Sequence, residues 1–403
     1  MKYIGIIILL VFCLTLVLFT GCRKNTIEAE TASVNLENTV IADTEETATE
    51  KPAEETLTVY PQKWATGDGT ESNPWVNDCI KKAYDATPAD GTIYLKAGYY
   101  QLSAAVDVEK QINVIGEGRN KTIIKTADTY GFTVTHDNCT FKHFTIDGAA
   151  QTSGDKPLLN IHDCDYITVE EVEAKNSITC GIQNLNNSYS LYQNLYLHDN
   201  GEHGIHAGTL GLTLGTCIQN VYRNIWAWNN TKDGFNDKGT DNIFAPYQSN
   251  SVYDSIICWD NGRHGIALCS QKGTVLSNSS STGSGAKGLY LRGLEDSTIE
   301  NCLFIDSGTG GILISANLHN VNFTNVIVKN NGTGIGIYNS SNLIFTSCQS
   351  YDDRATPLQN WGMEIQEGNS GISILNCKLT PNRKGDIYNP AGVVFTIITE
   401  KRE

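Results

Sequence analysis

The 403-residue chain has no Cys-x-x-Cys pair, although it holds 12 cysteines. Structural zinc needs closely spaced thiolates, so a zinc site is not expected. Basic charge is also short: 29 Lys and Arg stand against 44 Asp and Glu, a formal net charge of −15. A nucleic-acid partner, whose phosphates call for clustered cations, is therefore not expected. An acidic polysaccharide stays open, because a local basic groove can sit on an acidic body. There is no P-loop, no His-Glu-x-x-His and no serine elbow. Long apolar runs are confined to Ile4–Phe19.

That run follows Lys2 and precedes Leu18-Phe19-Thr20-Gly21-Cys22. It reads as an export signal over 1–22. LFTGC resembles the lipobox of bacterial lipoproteins, which implies an exported, cell-surface protein held on the membrane by a lipid at Cys22. Residues 23–58 carry nine acidic and three basic side chains among Thr and Ala. They cannot bury a core and read as a flexible tether. The folded domain is expected over 59–403. Ten cysteines lie between Cys79 and Cys377, many in strand-like contexts such as ENCLF and LNCKL, and are expected as buried free thiols.

What is present is a repeat. A glycine before an apolar residue occurs at Gly181, Gly204, Gly234, Gly265, Gly288, Gly311, Gly334 and Gly362. The spacings are 23, 30, 31, 23, 23, 23 and 28, a period of 23 with insertions. Asn recurs three or four residues before the glycine at Asn200, Asn230, Asn261 and Asn331. Short alternating strands such as SVYDSIICW lie between. The leucine-rich pattern LxxLxL is absent. These features predict an all-β fold: a right-handed, single-stranded parallel β-helix of roughly ten coils. The segment 76–88, apolar at helical spacing, is expected to cap its N-terminal end.

The period assigns side chains to columns, because equal phases stack and alternate residues face opposite sides. The column before the glycine reads Cys180, His203, Asp233, His264, Lys287, Gly310. The column two after it reads Gln183, His206, Asn236, Ala267, Tyr290, Leu313, and the column four after it reads Leu185, Gly208, Lys238, Cys269, Arg292, Ser315. Charged and aromatic polar residues concentrate in the same middle coils of every column. They predict one outward patch, with the insertions after Gly204 and Lys238 placed to wall a groove. Paired carboxylates across a bond, as a glycosidase needs, are not evident: Asp233 and Asp237 share one strand, and Asp237 is expected to point inward or into a turn.

GTIYLKAGYYQLSAA (91–105), INVIGEGRNKTIIK (112–125), FTIDGAAQTSGDK (144–156), NGRHGIAL (261–268) and GLYLRGLED (288–296) resemble the catalytic β-helix module of mannuronan C5-epimerases. That likeness implies that Lys156, Arg263 and His264 line a uronate-binding groove. The family's Asp-Pro-His motif falls near Gly204, where this chain reads GIHAG. DGFNDK (233–238) resembles a segment of β-helical pectate lyases, which implies Asp233 as a calcium ligand. Their catalytic lysine falls on GLYLRG, where Tyr290 replaces it.

Both families take the proton from C5 of a uronic acid, so cations must neutralise the adjacent carboxylate and a base must accept the proton. Lys238, Arg263 and Arg292 are the expected cations; His206, His264 or Tyr290 the expected base or acid. His203, Asn236 and Lys287 join Lys156 and Arg263 as expected substrate contacts. Calcium, if held, would use Asp233 with Asn236 or Asp237. The expected activity is a polysaccharide lyase acting by β-elimination. The alternatives are a C5-epimerase and a non-catalytic carbohydrate-binding β-helix. A monomer is expected.

Overall fold

The computed structural model describes residues 57–209, 217–238 and 248–399. The expected leader, Cys22 and nearly all of the tether lie outside these residues, as do most of the two insertions predicted to wall the groove. Among the described residues no helix is long and apolar enough to cross a membrane.

The chain winds as a right-handed parallel β-helix of about 12 turns, two more than the sequence suggests. Every strand pairs in parallel with the equivalent strand one coil away. Three left-handed backbone positions mark the corners of a typical coil: Asn186, Asn194 and Asp199 have φ of 53°, 55° and 56°. Asn and Asp tolerate this region better than other side chains, which is why they recur at the corners.

The glycine-based alignment matches the register of the sheet carrying the predicted patch. Ile205 pairs with Phe235, Phe235 with Ile266, Ile266 with Leu289, and Leu289 with Ile312. These side chains point inward and are essentially inaccessible. Tyr192, Tyr222 and Tyr253 stack beside them at centroid separations of 5.1 and 5.2 Å. One bulge, between Leu291 and Arg292, sets Arg292 opposite Ala316 instead of Ser315.

The glycines are required by close approach. A Cβ at Gly234 would lie 2.7 Å from Asn261 Nδ2 and from Cys258 Sγ, and one at Gly265 would fall 1.9 Å from Ser281 Oγ. The recurring asparagines form an internal ladder. Asn200 Nδ2 donates to Asn230 Oδ1 at 2.9 Å, and Asn230 Nδ2 to Asn261 Oδ1 at 3.0 Å. Ser284 and Ser307 hold this position in the next coils, and Asn331 resumes it by accepting from Ser307 N at 2.8 Å.

The helix Cys79–Ala86 lays Cys79, Ile80, Ala83 and Tyr84 on the first coils and joins them to the core, as predicted for a cap. All ten cysteines between Cys79 and Cys377 are free thiols, nine buried and Cys377 half-buried.

Candidate active site

The patch is built on the strands Ile205–Gly208, Phe235–Lys238, His264–Lys272 and Lys287–Glu300. His206 pairs with Asn236, Asn236 with Ala267, and Ala267 with Tyr290. Lys238 pairs with Cys269 and Cys269 with Arg292; His264 pairs with Lys287. The three sequence columns are thus real, and they run along the stacking axis on one sheet.

Asp233 is the anchor. Its carboxylate is 0% exposed. Arg263 Nε donates to Oδ1 at 2.7 Å, the Arg263 terminal nitrogen donates to Oδ2, and the His264 backbone N–H donates to Oδ1 at 2.9 Å. Burial alone would raise this carboxyl, but hydrogen bonds from Arg263 and His203 outweigh it and hold it well below the usual carboxylate range. The same bonds raise the Arg263 guanidinium.

His203 is buried beside it. Nδ1 lies 3.3 Å from both Asp233 Oδ2 and the Asp233 backbone N. A protonated Nδ1 suits the first contact and an unprotonated one the second. Nε2 sits 3.4 Å from the Asn236 amide nitrogen, a donor. The tautomer with its proton on Nδ1 satisfies carboxylate and amide together; it is assigned from the network.

These contacts correct several expectations. His203 and Asn236, predicted to touch substrate, are buried and spend their polar atoms on each other and on Asp233. Arg263 is half-exposed, but its guanidinium is committed to Asp233 in a two-pronged pair. Lys156 is held by Asp128, at 2.9 Å from Oδ1 and 3.0 Å from the backbone carbonyl, in a loop of an earlier coil. Asp237 faces the interior, where the Tyr253 hydroxyl donates to its Oδ2. Asp233 and Asp237 therefore point to opposite sides of the sheet and cannot share a calcium ion; among the described residues no group of three or more His, Cys, Asp or Glu is placed to hold a metal.

What remains facing outward is a smaller set. Lys238 is exposed, and His206, His264, Lys287, Tyr290 and Arg292 are half-buried. The His264 ring stacks on Tyr290 at 4.9 Å and 12°. Tyr290 OH accepts from Ser315 Oγ at 3.0 Å, a partner sequence reading missed because the bulge at Arg292 shifts Ser315 out of its column. Burial pushes the His264 imidazole down to about 4, with Arg263 and Lys287 adding to the shift and Asp233 opposing it. Burial also takes His206 down to about 4, helped by His203. Both rings are neutral near pH 7. His264 Nδ1 is buried without a hydrogen-bond partner, so Nε2 is the nitrogen left to meet a ligand. Arg292 and Lys287 have no ion-pair or hydrogen-bond partner among the described residues. The arrangement offers neutral imidazole, phenol and uncommitted cations along one open strip.

Comparison with known proteins places this geometry. A profile described as rhamnogalacturonase A/epimerase, pectate lyase-like matches residues 64–286, and one described as right-handed beta helix region matches 241–396. Mannuronan C5-epimerase AlgE2 of Azotobacter vinelandii is 24% identical over 274 residues, 60% of this chain and 23% of that protein. The chain thus spans about a quarter of that relative's length. Pectate lyase L of Paenibacillus polymyxa (strain SC2) is 21% identical over 397 residues, 92% of this chain and 84% of that protein. The solved A-module of mannuronan C-5 epimerase AlgE6 of Azotobacter vinelandii superposes with a TM-score of 0.61 at 15% identity, over 86% of this chain and 100% of that one, a likeness of fold. The first profile covers more than half of the sequence, and the chain belongs to the rhamnogalacturonase A/epimerase, pectate lyase-like family.

Proposed function

We propose that the strip from His206 to Arg292 binds a uronate-containing polysaccharide and cleaves it by β-elimination. One observation carries this reading: a neutral imidazole, His264, is stacked on the Tyr290 phenol, on the strip that carries Arg292, a cation with no carboxylate partner among the described residues. Arg292, with Lys238 two coils before it, meets the sugar carboxylate, so that negative charge can develop at C5. His264 takes the C5 proton. The C5–H electron pair becomes the C4=C5 double bond, the C4–O bond breaks, and the Tyr290 phenol gives its proton to the leaving oxygen. The proton on His264 then returns through water to the Tyr290 phenolate, favoured by the low basicity of the buried ring, and both groups are restored. Asp233, Arg263 and His203 are positioning residues: they fix the His264 backbone.

Elimination is preferred to epimerisation because the relative that this chain matches over most of both lengths is a pectate lyase. Epimerisation is the second reading, favoured by the match to a mannuronan C5-epimerase; there the proton returns to the opposite face of C5 and no bond to C4 breaks. The test is incubation of the folded domain with polygalacturonate, alginate and unsulfated glycosaminoglycans, followed by the ultraviolet absorbance of unsaturated uronate. Absorbance that rises with wild type and not with Tyr290→Phe is expected. Rise with both proteins would remove Tyr290 from the mechanism, and shortening of the polymer without absorbance would point to hydrolysis instead.

A further inference from the structure

The strip uses one face of the coil. A second outward face, on the sheet that precedes the turn 260–263, carries stacked aromatic rings. Tyr196 lies on Trp226 at 4.8 Å, and Trp228 on Trp259 at 4.7 Å and 4°. Rings stacked along the coil axis hide their faces against their neighbours. Arg119 covers the other face of Tyr196, 3.5 Å from its centroid, and Ile257 follows Trp226. Trp259 is the exception. Trp228 covers one face of its indole, but the residue opposite the other face is Thr282, too small to cover it.

The coil of Thr282 is small across this whole face. Ser280 stands between Ile257 and Leu303 of the neighbouring coils, and Thr282 between Trp259 and Ile305. All six are outward and half-buried. At the corner that follows, Gly283 takes the left-handed place that exposed Asp260 and Asp306 hold in the coils on either side. The sequence carries this as the run SNSSSTGSGA (277–286). The two wall strands lie two strand spacings apart, about 10 Å, and residues 280–283 span about 10 Å along the chain. Less the thickness of the wall side chains, the step down leaves an open trough. It is about as wide as one pyranose ring is thick, and about two rings long.

The trough's surfaces suit a sugar. Pyranose C–H groups, slightly positive, pack on the negative face of an indole. The Ser280 and Thr282 hydroxyls on the floor have no hydrogen-bond partner among the described residues, so each can donate and accept. Asp260 leans into the corner end: a Cβ at Gly283 would lie 2.5 Å from its Oδ1. Among the described residues neither the Asp260 nor the Asp306 carboxylate has an ion-pair or hydrogen-bond partner, and sugar hydroxyls would donate charge-assisted bonds to them. The basic side chain next along, Lys329, is held by Asp353 at 2.7 Å. Two carboxylates and no available cation disfavour a uronate here. We infer that this trough is a second carbohydrate-binding site, on a different face from the strip, which holds an uncharged pyranose unit of a polysaccharide against Trp259. It does not depend on what the strip catalyses.

The experiment is titration calorimetry of the folded domain with three uncharged hexasaccharides (cellohexaose, mannohexaose and xylohexaose) and with hexagalacturonate. It is run on wild type, on Trp259→Ala and on Thr282→Phe, which fills the trough; both positions face outward, and thermal melting checks that each variant is folded. Saturable heat from at least one uncharged probe is expected with wild type. Binding should weaken about tenfold in each variant, the scale of one aromatic stacking contact with its buried area. Whatever heat hexagalacturonate gives should be the same in all three proteins. No heat from any uncharged probe, or heat that neither substitution weakens, would overturn the site. Loss of hexagalacturonate binding in the same two variants would overturn the uncharged class. A wild-type dimer in sedimentation that Trp259→Ala dissociates, with no heat from sugar, would give the face to self-association instead.

Discussion

At the scale of single residues the patch divides into groups that hold the fold and groups left for a ligand. Arg263 and Arg292 illustrate the division. Arg263 neutralises a fully buried carboxylate, so Arg263→Ala strands that charge and should cost about 3 kcal/mol. Arg292 has no such partner among the described residues, and Arg292→Ala should stay within about 0.5 kcal/mol while lowering turnover. Denaturant titration of the two variants tests this; equal losses of stability would make Arg292 structural. The buried imidazoles give a second test. In the folded protein His206 and His264 titrate at about 4, and an unfolded histidine at about 6.5. The unfolded chain therefore takes up protons first as pH falls. Stability should decline as pH drops through the window from about 6.5 to 4, with the His contribution fully lost below it. Asp233, depressed in the native state, adds its own loss below about pH 4. Replacing both histidines with Gln should flatten the melting temperature between pH 4 and 6.5. An unchanged slope there would mean other groups set the acid sensitivity.

At the scale of elements the coil is the unit. The Asn200–Asn230–Asn261 ladder supplies an acceptor or donor to the next coil at each step, and Asn230 also donates to Leu197 O at 3.0 Å. Asn230→Ala would leave Asn200 N–H groups and the Leu197 carbonyl unpaired in the interior. A cost of about 3 kcal/mol is expected in denaturant unfolding, and a change below about 1 would show that water replaces the side chain. This architecture was legible in the sequence because glycine and asparagine fall at phases where backbone approach and an internal amide leave little choice. The columns were legible for the same reason. The partnership of each column residue was not. His203, Asn236 and Asp237 are polar residues on a strand, and only the neighbouring coil decides whether such a residue meets water, a ligand or another side chain. Arg263 turned back onto Asp233 because the two lie one coil apart at the same phase, a proximity the period implies but charge alone does not reveal. Ser315 was hidden by a bulge that no sequence feature marks.

At the scale of the whole molecule, stacking about 12 coils makes a sheet whose outward columns form a strip longer than one sugar. A rigid strip suits a polymer better than a small metabolite, since each coil adds a contact without any closing motion. Acidic overall charge keeps the body apart from a polyanion except where Lys238, Lys287 and Arg292 interrupt it. The central claim is that this strip removes the C5 proton of a bound uronate. The most direct measurement is nuclear magnetic resonance of polymer incubated with the domain in heavy water, for wild type and His264→Ala, alongside retention of each protein on immobilised polymer. The account predicts unsaturated chain ends with wild type, none with His264→Ala, and retention of both. Polymer retained by wild type with neither unsaturated ends nor deuterium at C5, at every pH from about 4, where His264 titrates, to about 10, would contradict it and leave a carbohydrate-binding β-helix in its place.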